Sequence, residues 1–164
     1  MKKYPTFSTP SPFELFLDLD GVLADFNGRI KLLTGKQPNE LPKNRLWSSV
    51  ARDGDFYYKL KLMPDADILW GYCKQYIPTF LTGLPMMKGS ADQKTRWCAE
   101  KFGPEWKVIC LMARDKKLHS GPNKVLVDDN MKNCNEWMEK GGVAILHTDV
   151  HETISKLEEL RIAY

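Results

Sequence analysis

The sequence of 164 residues predicts an α/β fold, a parallel sheet with helices on both faces. Three observations carry that prediction. An apolar run over residues 14–18 stops at Asp18 and Asp20 and is followed by a helical pattern. From Asp65 onward, short apolar runs alternate regularly with amphipathic stretches of helical period. Several of these runs end in acids, a hydroxyl or bases, as strands do when their carboxyl ends form a functional rim. Strands separated by helices imply right-handed crossovers between parallel neighbours.

Residues 1–13 carry Pro5, Pro10 and Pro12 among Ser and Thr and read as an irregular leader. The first strand covers 14–18. Val22 to Leu33 reads as a helix, with Val22, Leu23, Phe26, Ile30 and Leu33 at roughly helical spacing and Gly35 as its stop. Residues 36–64 differ in character, with Pro38, Pro42, Pro64 and the aromatics Trp47, Phe56, Tyr57 and Tyr58. They read as a small helical insertion after the first strand and its helix, with one helix over Pro42–Arg52. Asp53-Gly54-Asp55 is a turn, since the remaining ligands of a calcium loop are missing. The core then resumes over 65–164, so the predicted division is 14–35 plus 65–164 for the core and 36–64 for the cap.

Within that second part, Asp65–Gln75 reads as a helix and Pro78–Thr82 as a strand ending at Gly83. Ala91–Phe102 is a helix stopped by Gly103-Pro104, and Lys107–Met112 a strand. Lys124–Val127 is a strand ending in Asp128-Asp129, and Asn130–Lys140 a helix closed by Gly141-Gly142. Val143–Leu146 is a strand and His151–Leu160 the last helix.

Bulk properties exclude several classes. Hydrophobic residues make up 43% and charged residues 27%, ordinary for a globular protein. A net charge of +3 is too small to argue for nucleic-acid or membrane binding. Cys73, Cys98, Cys110 and Cys134 form no CxxC pair, so buried free thiols are expected rather than zinc or disulfides. His147 and His151 have i, i+4 spacing but flank a strand-to-helix loop, which speaks against a zinc pair. No signal peptide and no membrane-length apolar run is visible, and a cytoplasmic location is the default expectation.

The chemistry concentrates at the strand ends. Asp18 and Asp20 are two residues apart in extended chain and so face the same side. Two carboxylates ending an apolar strand need a partner, most simply a cation. The other ends add Thr82, then Arg114 and Lys116, then Asp128 and Asp129. Singly, Thr82 would be a turn hydroxyl and Lys116 a solvated charge. Together they make an acidic metal cradle faced by phosphate ligands.

These residues resemble a known family. Asp18-x-Asp20-Gly21-Val22, Leu81-Thr82-Gly83, Lys116 and Asp128-Asp129 look like the four motifs of the haloacid dehalogenase-like hydrolases, whose core is a Rossmann-like sheet. Asp18 to Phe26, Lys94-x-x-Trp97 before Phe102-Gly103-Pro104, and Arg114-Asp115-Lys116 are similar to the 5'(3')-deoxyribonucleotidases. The resemblance spans about residues 14–148. It implies an Mg²⁺-dependent phosphatase in which Asp18 is the nucleophile and Asp20 the acid–base. The metal would be held by Asp18, the Asp20 carbonyl and Asp128, with Asp129 completing the metal site through a bound water or orienting Lys116. Lys116 would neutralise charge on the phosphate and on Asp18. Thr82 and Gly83 would donate to phosphate, and Lys94 and Arg114 would contact it. Phe26 would meet the nucleobase. Gly83 stands where these relatives often carry serine.

The expected partner is therefore a nucleotide or other small phosphomonoester, with no stable nucleic-acid binding and no membrane; a homodimer is allowed. The same chemistry on a phosphosugar or nucleic-acid end is an alternative. A receiver-like phospho-switch would share the acids and the lysine, but Asp20 beside Thr82 suits turnover better.

Overall fold

The computed structural model describes residues 10–164, so most of the leader expected over 1–13 lies outside the described residues. Five strands form one parallel sheet: β1 (Glu14–Leu17), β2 (Thr79–Gly83), β3 (Val108–Leu111), β4 (Lys124–Asp128) and β5 (Val143–Leu146), in the order β3-β2-β1-β4-β5. β1 is central, with Leu17 beside Phe80 on one side and Val127 on the other. The chain winds from β1 outward to β2 and β3, then crosses to β4 and β5. The reversal between β1 and β4 leaves a crevice at their carboxyl ends.

The described residues form six helices: α1 (Phe26–Thr34), α2 (Lys43–Asp53), α3 (Ala66–Cys73), α4 (Ser90–Phe102), α5 (Met131–Glu139) and α6 (Val150–Ala163). Side-chain alternation along each strand divides the core in two. Leu15, Leu17, Phe80, Val125 and Val127 join the larger cluster with Leu69, Trp97, Ile154 and Leu157 from α3, α4 and α6. Phe16, Leu81 and Leu126 point the other way, onto Trp137 of α5. Trp137 is wholly buried, and truncating such a side chain to Ala costs about 3–5 kcal/mol. Phe13, expected in the irregular leader, is itself a core residue stacked 5.0 Å from the Tyr76 ring.

One helix begins later than its periodicity suggests. Val22 to Asp25 form a tight turn rather than the start of α1, because the N–H groups of Val22, Leu23 and Ala24 all bond the Leu19 carbonyl. Asp25 then caps α1 by accepting from the Gly28 N–H. The apolar residues of this turn are buried as expected, but in a loop. α6 runs beyond the expected Leu160 to Ala163.

The 36–64 segment contributes α2 and a 3-10 turn at Pro38–Glu40. Asp53 at the end of α2 accepts a two-pronged bond from Arg29 of α1 at 2.8 and 3.0 Å. The segment returns beside the Leu19–Asp25 loop, where Asp25 N–H bonds Lys61 and Met63 N–H bonds Leu23. Gly54 and Asp55 adopt positive φ in the turn predicted there. All four cysteines are free, with Cys73, Cys98 and Cys134 buried. Among the described residues no helix is long and apolar enough to cross a membrane.

Candidate active site

The crevice between β1 and β4 is lined by carboxylates. Asp18 follows β1 directly, and its N–H bonds Val127 O of β4 at 3.0 Å, which locks the strand end in register. Asp128 is the last residue of β4 and has no exposed surface. Between them lies the ammonium of Lys116, 2.8 Å from Asp18 Oδ1 and 2.7 Å from Asp128 Oδ2. Lys116 is carried by a 3-10 turn over Ala113–His119, just past β3, and is almost wholly buried. Burial alone would lower its pKa, but the charges of Asp18 and Asp128 outweigh it and hold the ammonium well above the ordinary lysine range.

Asp18, Asp128 and Asp129 each offer a carboxylate oxygen, and these oxygens lie within 4.8 Å of one another. Burial raises the pKa of Asp128, and the nearby Asp18 raises it further. Asp129, more open to solvent, is pushed up to about 7 by desolvation of its carboxyl and by its two acidic neighbours. Three hard oxygen donors that repel one another are a donor set suited to a small divalent cation, which would relieve that repulsion. No other group of this kind is present among the described residues; His147 is instead bonded through Nδ1 to Thr153 Oγ1 at 2.8 Å.

Asp20 has a different environment. Its Oδ2 accepts from Lys94 Nζ at 2.7 Å, while its Oδ1 is buried without a hydrogen-bond partner. Burial raises its pKa, against the opposing charge of Lys94. Its carboxylate is not one of the three clustered acids. The two aspartates of one short motif thus occupy separate electrostatic settings.

Two glycines of the site stand at close approaches. Gly21 has φ +83°, and a Cβ there would stand 2.0 Å from Asp129 Oδ2. A Cβ on Gly83 would come 3.2 Å from Ala113 Cβ, a tight contact that a shift of a few tenths of an ångström would relieve.

A cleft of about 230 Å³ opens over these groups, lined by Asp18, Asp20, Lys116, Asp128 and Asp129 together with Phe26 and Gly83. Three of the sequence-predicted residues do not line it. Thr82 is fully buried, its hydroxyl accepting from Lys94 at 2.8 Å. Lys94 lies behind Asp20 and is 2% exposed. Arg114 is exposed on the turn that carries Lys116. Sequence reasoning missed Asn130 and Asn133. Asn130 N–H bonds Asp128 Oδ1 at 2.9 Å, and Asn133 Nδ2 bonds Asp128 Oδ2 at 3.1 Å. The signal was their spacing from Asp128 at the start of α5, where the first turn faces the strand end.

An apolar groove of about 520 Å³ is lined by Trp47 and Ala51 of α2 and by Leu84, Met86, Met87 and Met112. It adjoins the cleft along the chain, since Leu84 follows Gly83 and Met112 precedes Ala113. The Phe26 and Trp47 rings lie 6.3 Å apart at the junction.

No protein-family model matches the sequence. No curated protein matches it either. Solved structures do match by fold. A haloacid dehalogenase-superfamily hydrolase from Ehrlichia chaffeensis superposes with a TM-score of 0.55 at 10% identity, covering 93% of this chain and 99% of its own. A haloacid dehalogenase-like hydrolase from Streptococcus pneumoniae gives 0.55 at 12% identity, over 89% of this chain and 90% of its own. A hydrolase of the same family from Deinococcus radiodurans, solved with bound phosphate and sodium, gives 0.52 at 15% identity, over 93% and 95%. The chain therefore has the haloacid dehalogenase-like fold.

Proposed function

We propose that this chain is a phosphomonoester hydrolase that works through an aspartyl-phosphate, with nucleoside monophosphates as its substrate class and Mg²⁺ as its cofactor. One observation carries the reading: Asp18 shares the Lys116 ammonium with Asp128, while Asp20 is tethered separately to Lys94. Carboxylates in unlike environments are suited to unlike roles.

Asp18 would attack phosphorus, forming an oxygen–phosphorus bond as the bond to the leaving oxygen breaks. Asp20 would give its proton to that oxygen, and would later take one from the water that releases phosphate. Lys116, fixed on Asp18, would keep the nucleophilic carboxylate oriented and offset charge gathering on the phosphoryl group. Asp18, Asp128 and Asp129 would hold the cation, with the Asp20 carbonyl as the further ligand the family resemblance implies. When bound, it would offset the charge that keeps a carboxylate from a phosphate dianion. The phosphate and sodium bound to the Deinococcus radiodurans hydrolase support a phosphoryl substrate and a cation for this chain as well.

The nucleotide preference is supported by the groove beside the cleft. Phe26 lines the cleft and Trp47 the groove, and stacking a base on an aromatic is worth about 1–3 kcal/mol. The test is a phosphate-release screen of ribo- and deoxyribonucleoside 5'- and 3'-monophosphates against phosphosugars, with and without Mg²⁺. Preferred, Mg²⁺-dependent release from nucleotides is expected. Equal rates on all esters would remove the nucleotide assignment, and no release from any would remove the phosphatase.

A further inference from the structure

Lys94 belongs to α4, yet it is almost completely buried. Burying an ammonium is costly unless its donors are met. Here all three are: Asp20 Oδ2 at 2.7 Å, Thr82 Oγ1 at 2.8 Å and the Gly83 carbonyl at 2.7 Å. A lysine has three donors, so in this arrangement none remains for a phosphate oxygen. The Tyr57 ring covers another side of the ammonium, 4.5 Å from its centroid.

The three acceptors come from two places, the loop after β1 and the end of β2. Lys94 therefore ties the strand end that carries Asp20 to the strand end that borders the cleft at Gly83. It also distinguishes the two oxygens of Asp20, engaging Oδ2 and leaving Oδ1 without a partner. Neighbours of Lys94 on the same helix fasten the 36–64 segment. Gln93 Oε1 accepts from the Tyr57 N–H at 3.0 Å, and Trp97 Nε1 donates to Leu60 O at 2.8 Å. The Tyr57 ring is thereby held over the ammonium by the helix that carries it.

Taking Asp20 as the proton donor of the reaction proposed above, we infer that Lys94 is a positioning residue that acts through Asp20 and does not touch the phosphate. α4 is then a strut: one side grips the 55–60 stretch, and Lys94 sets the rotamer of Asp20. In the step it serves, the proton passes from Asp20 to the departing oxygen while Asp18 bonds to phosphorus. Lys94 takes no part in that transfer.

The test is a double-mutant cycle of Asp20→Asn and Lys94→Met on two Mg²⁺-supported substrates, an alkyl and a nitrophenyl phosphomonoester. The alkoxide needs a proton to leave and the nitrophenolate does not, and kcat/KM reports only steps up to phosphoryl transfer. Lys94→Met is expected to lower kcat/KM for the alkyl ester about 100-fold. For the nitrophenyl ester the expected loss is under about tenfold, within what a positioned proton donor need not supply. In the Asp20→Asn background, Lys94→Met should add no further loss. Equal losses on both esters that multiply with Asp20→Asn would overturn the inference and put Lys94 on the phosphate.

If Lys94→Met alone does not fold, the double variant removes both charges together and is compared with Asp20→Asn in the same assays. The cycle is also read in urea unfolding, which needs no turnover. Coupled losses of stability are expected, and additive losses would refute the pairing. No release from either ester by the unaltered protein would sink the phosphatase reading, while the unfolding cycle would still decide the pairing.

Discussion

Lys116 Nζ lies 2.8 Å from Asp18 Oδ1, joining two buried residues 98 positions apart in sequence. The same ammonium holds Asp128 Oδ2 at 2.7 Å, so one cation fixes the ends of the two strands that flank the crevice. A carboxylate held this way keeps one oxygen engaged, and Asp18 lines the cleft. That is the geometry an attacking carboxylate needs, because it is oriented before substrate arrives.

Asp18→Asn should abolish phosphate release in the presence of Mg²⁺ while leaving the fold intact, since the amide can keep one oxygen toward Lys116. Release is followed with a phosphate assay and folding by circular dichroism. Full activity in this variant would refute the nucleophile assignment.

Lys116→Met should cost about 3–5 kcal/mol of stability, because Asp18 and Asp128 lose their shared partner while buried. The expected signature is a large fall in the urea midpoint, partly restored by Mg²⁺, which takes over the charge. A change within about 0.5 kcal/mol, the scale of an ordinary surface substitution, would contradict the pairing.

The acids of the site also predict a pH dependence. The pKa of Asp129 is raised to about 7, and those of Asp20 and Asp128 are raised as well. A carboxyl whose folded pKa lies above its unfolded value of about 3.9 binds more protons when folded. The metal-free protein should therefore lose this contribution as pH rises from about 4 to about 7. Mg²⁺ competes with the protons of Asp128 and Asp129, so its effect on Tm should be larger near pH 8 than near pH 5. Thermal unfolding at both values checks this, and an equal Mg²⁺ effect would mean that these acids do not bind the ion.

Gly21→Ala should destabilise the chain by more than about 1 kcal/mol, since φ is +83° and the new methyl would collide with Asp129. It should weaken Mg²⁺ binding too, because Asp129 must move. Calorimetry of Mg²⁺ binding would detect this, and unchanged affinity would show that Asp129 is not a ligand.

Trp47→Ala should raise KM for nucleotides about tenfold, in line with the loss of a stacking surface, and leave KM for a small alkyl phosphate unchanged. Parallel increases on both substrates would place Trp47 in the packing of the 36–64 segment instead.

Much of this was legible in the chain because the signals are local. The run ending at Asp18, the pair Asp128-Asp129 and Gly83 mark strand ends through burial period and turn chemistry, and all lie on the crevice rim. Periodicity starts α1 too early because Val22 and Leu23 are as buried in a turn as they would be in a helix. Periodicity cannot tell those apart when hydrogen bonds converge on one carbonyl, as they do on Leu19 O. The family resemblance implies a phosphate contact for Lys94, whereas in the fold its ammonium meets Asp20, Thr82 and the Gly83 carbonyl. Asn130 and Asn133 carried no motif that sequence reasoning used.

By itself the sequence determined the sheet, the order of its elements and the acids at its carboxyl edge, since each follows from hydrophobic period and neighbouring residues. Tertiary structure alone decided which charge meets which. Lys116 joins Asp18 to Asp128, and Lys94 turns inward to Asp20, Thr82 and Gly83. Those pairings span distant segments, and a buried charge settles wherever folding brings enough partners to replace water. No local pattern encodes that choice.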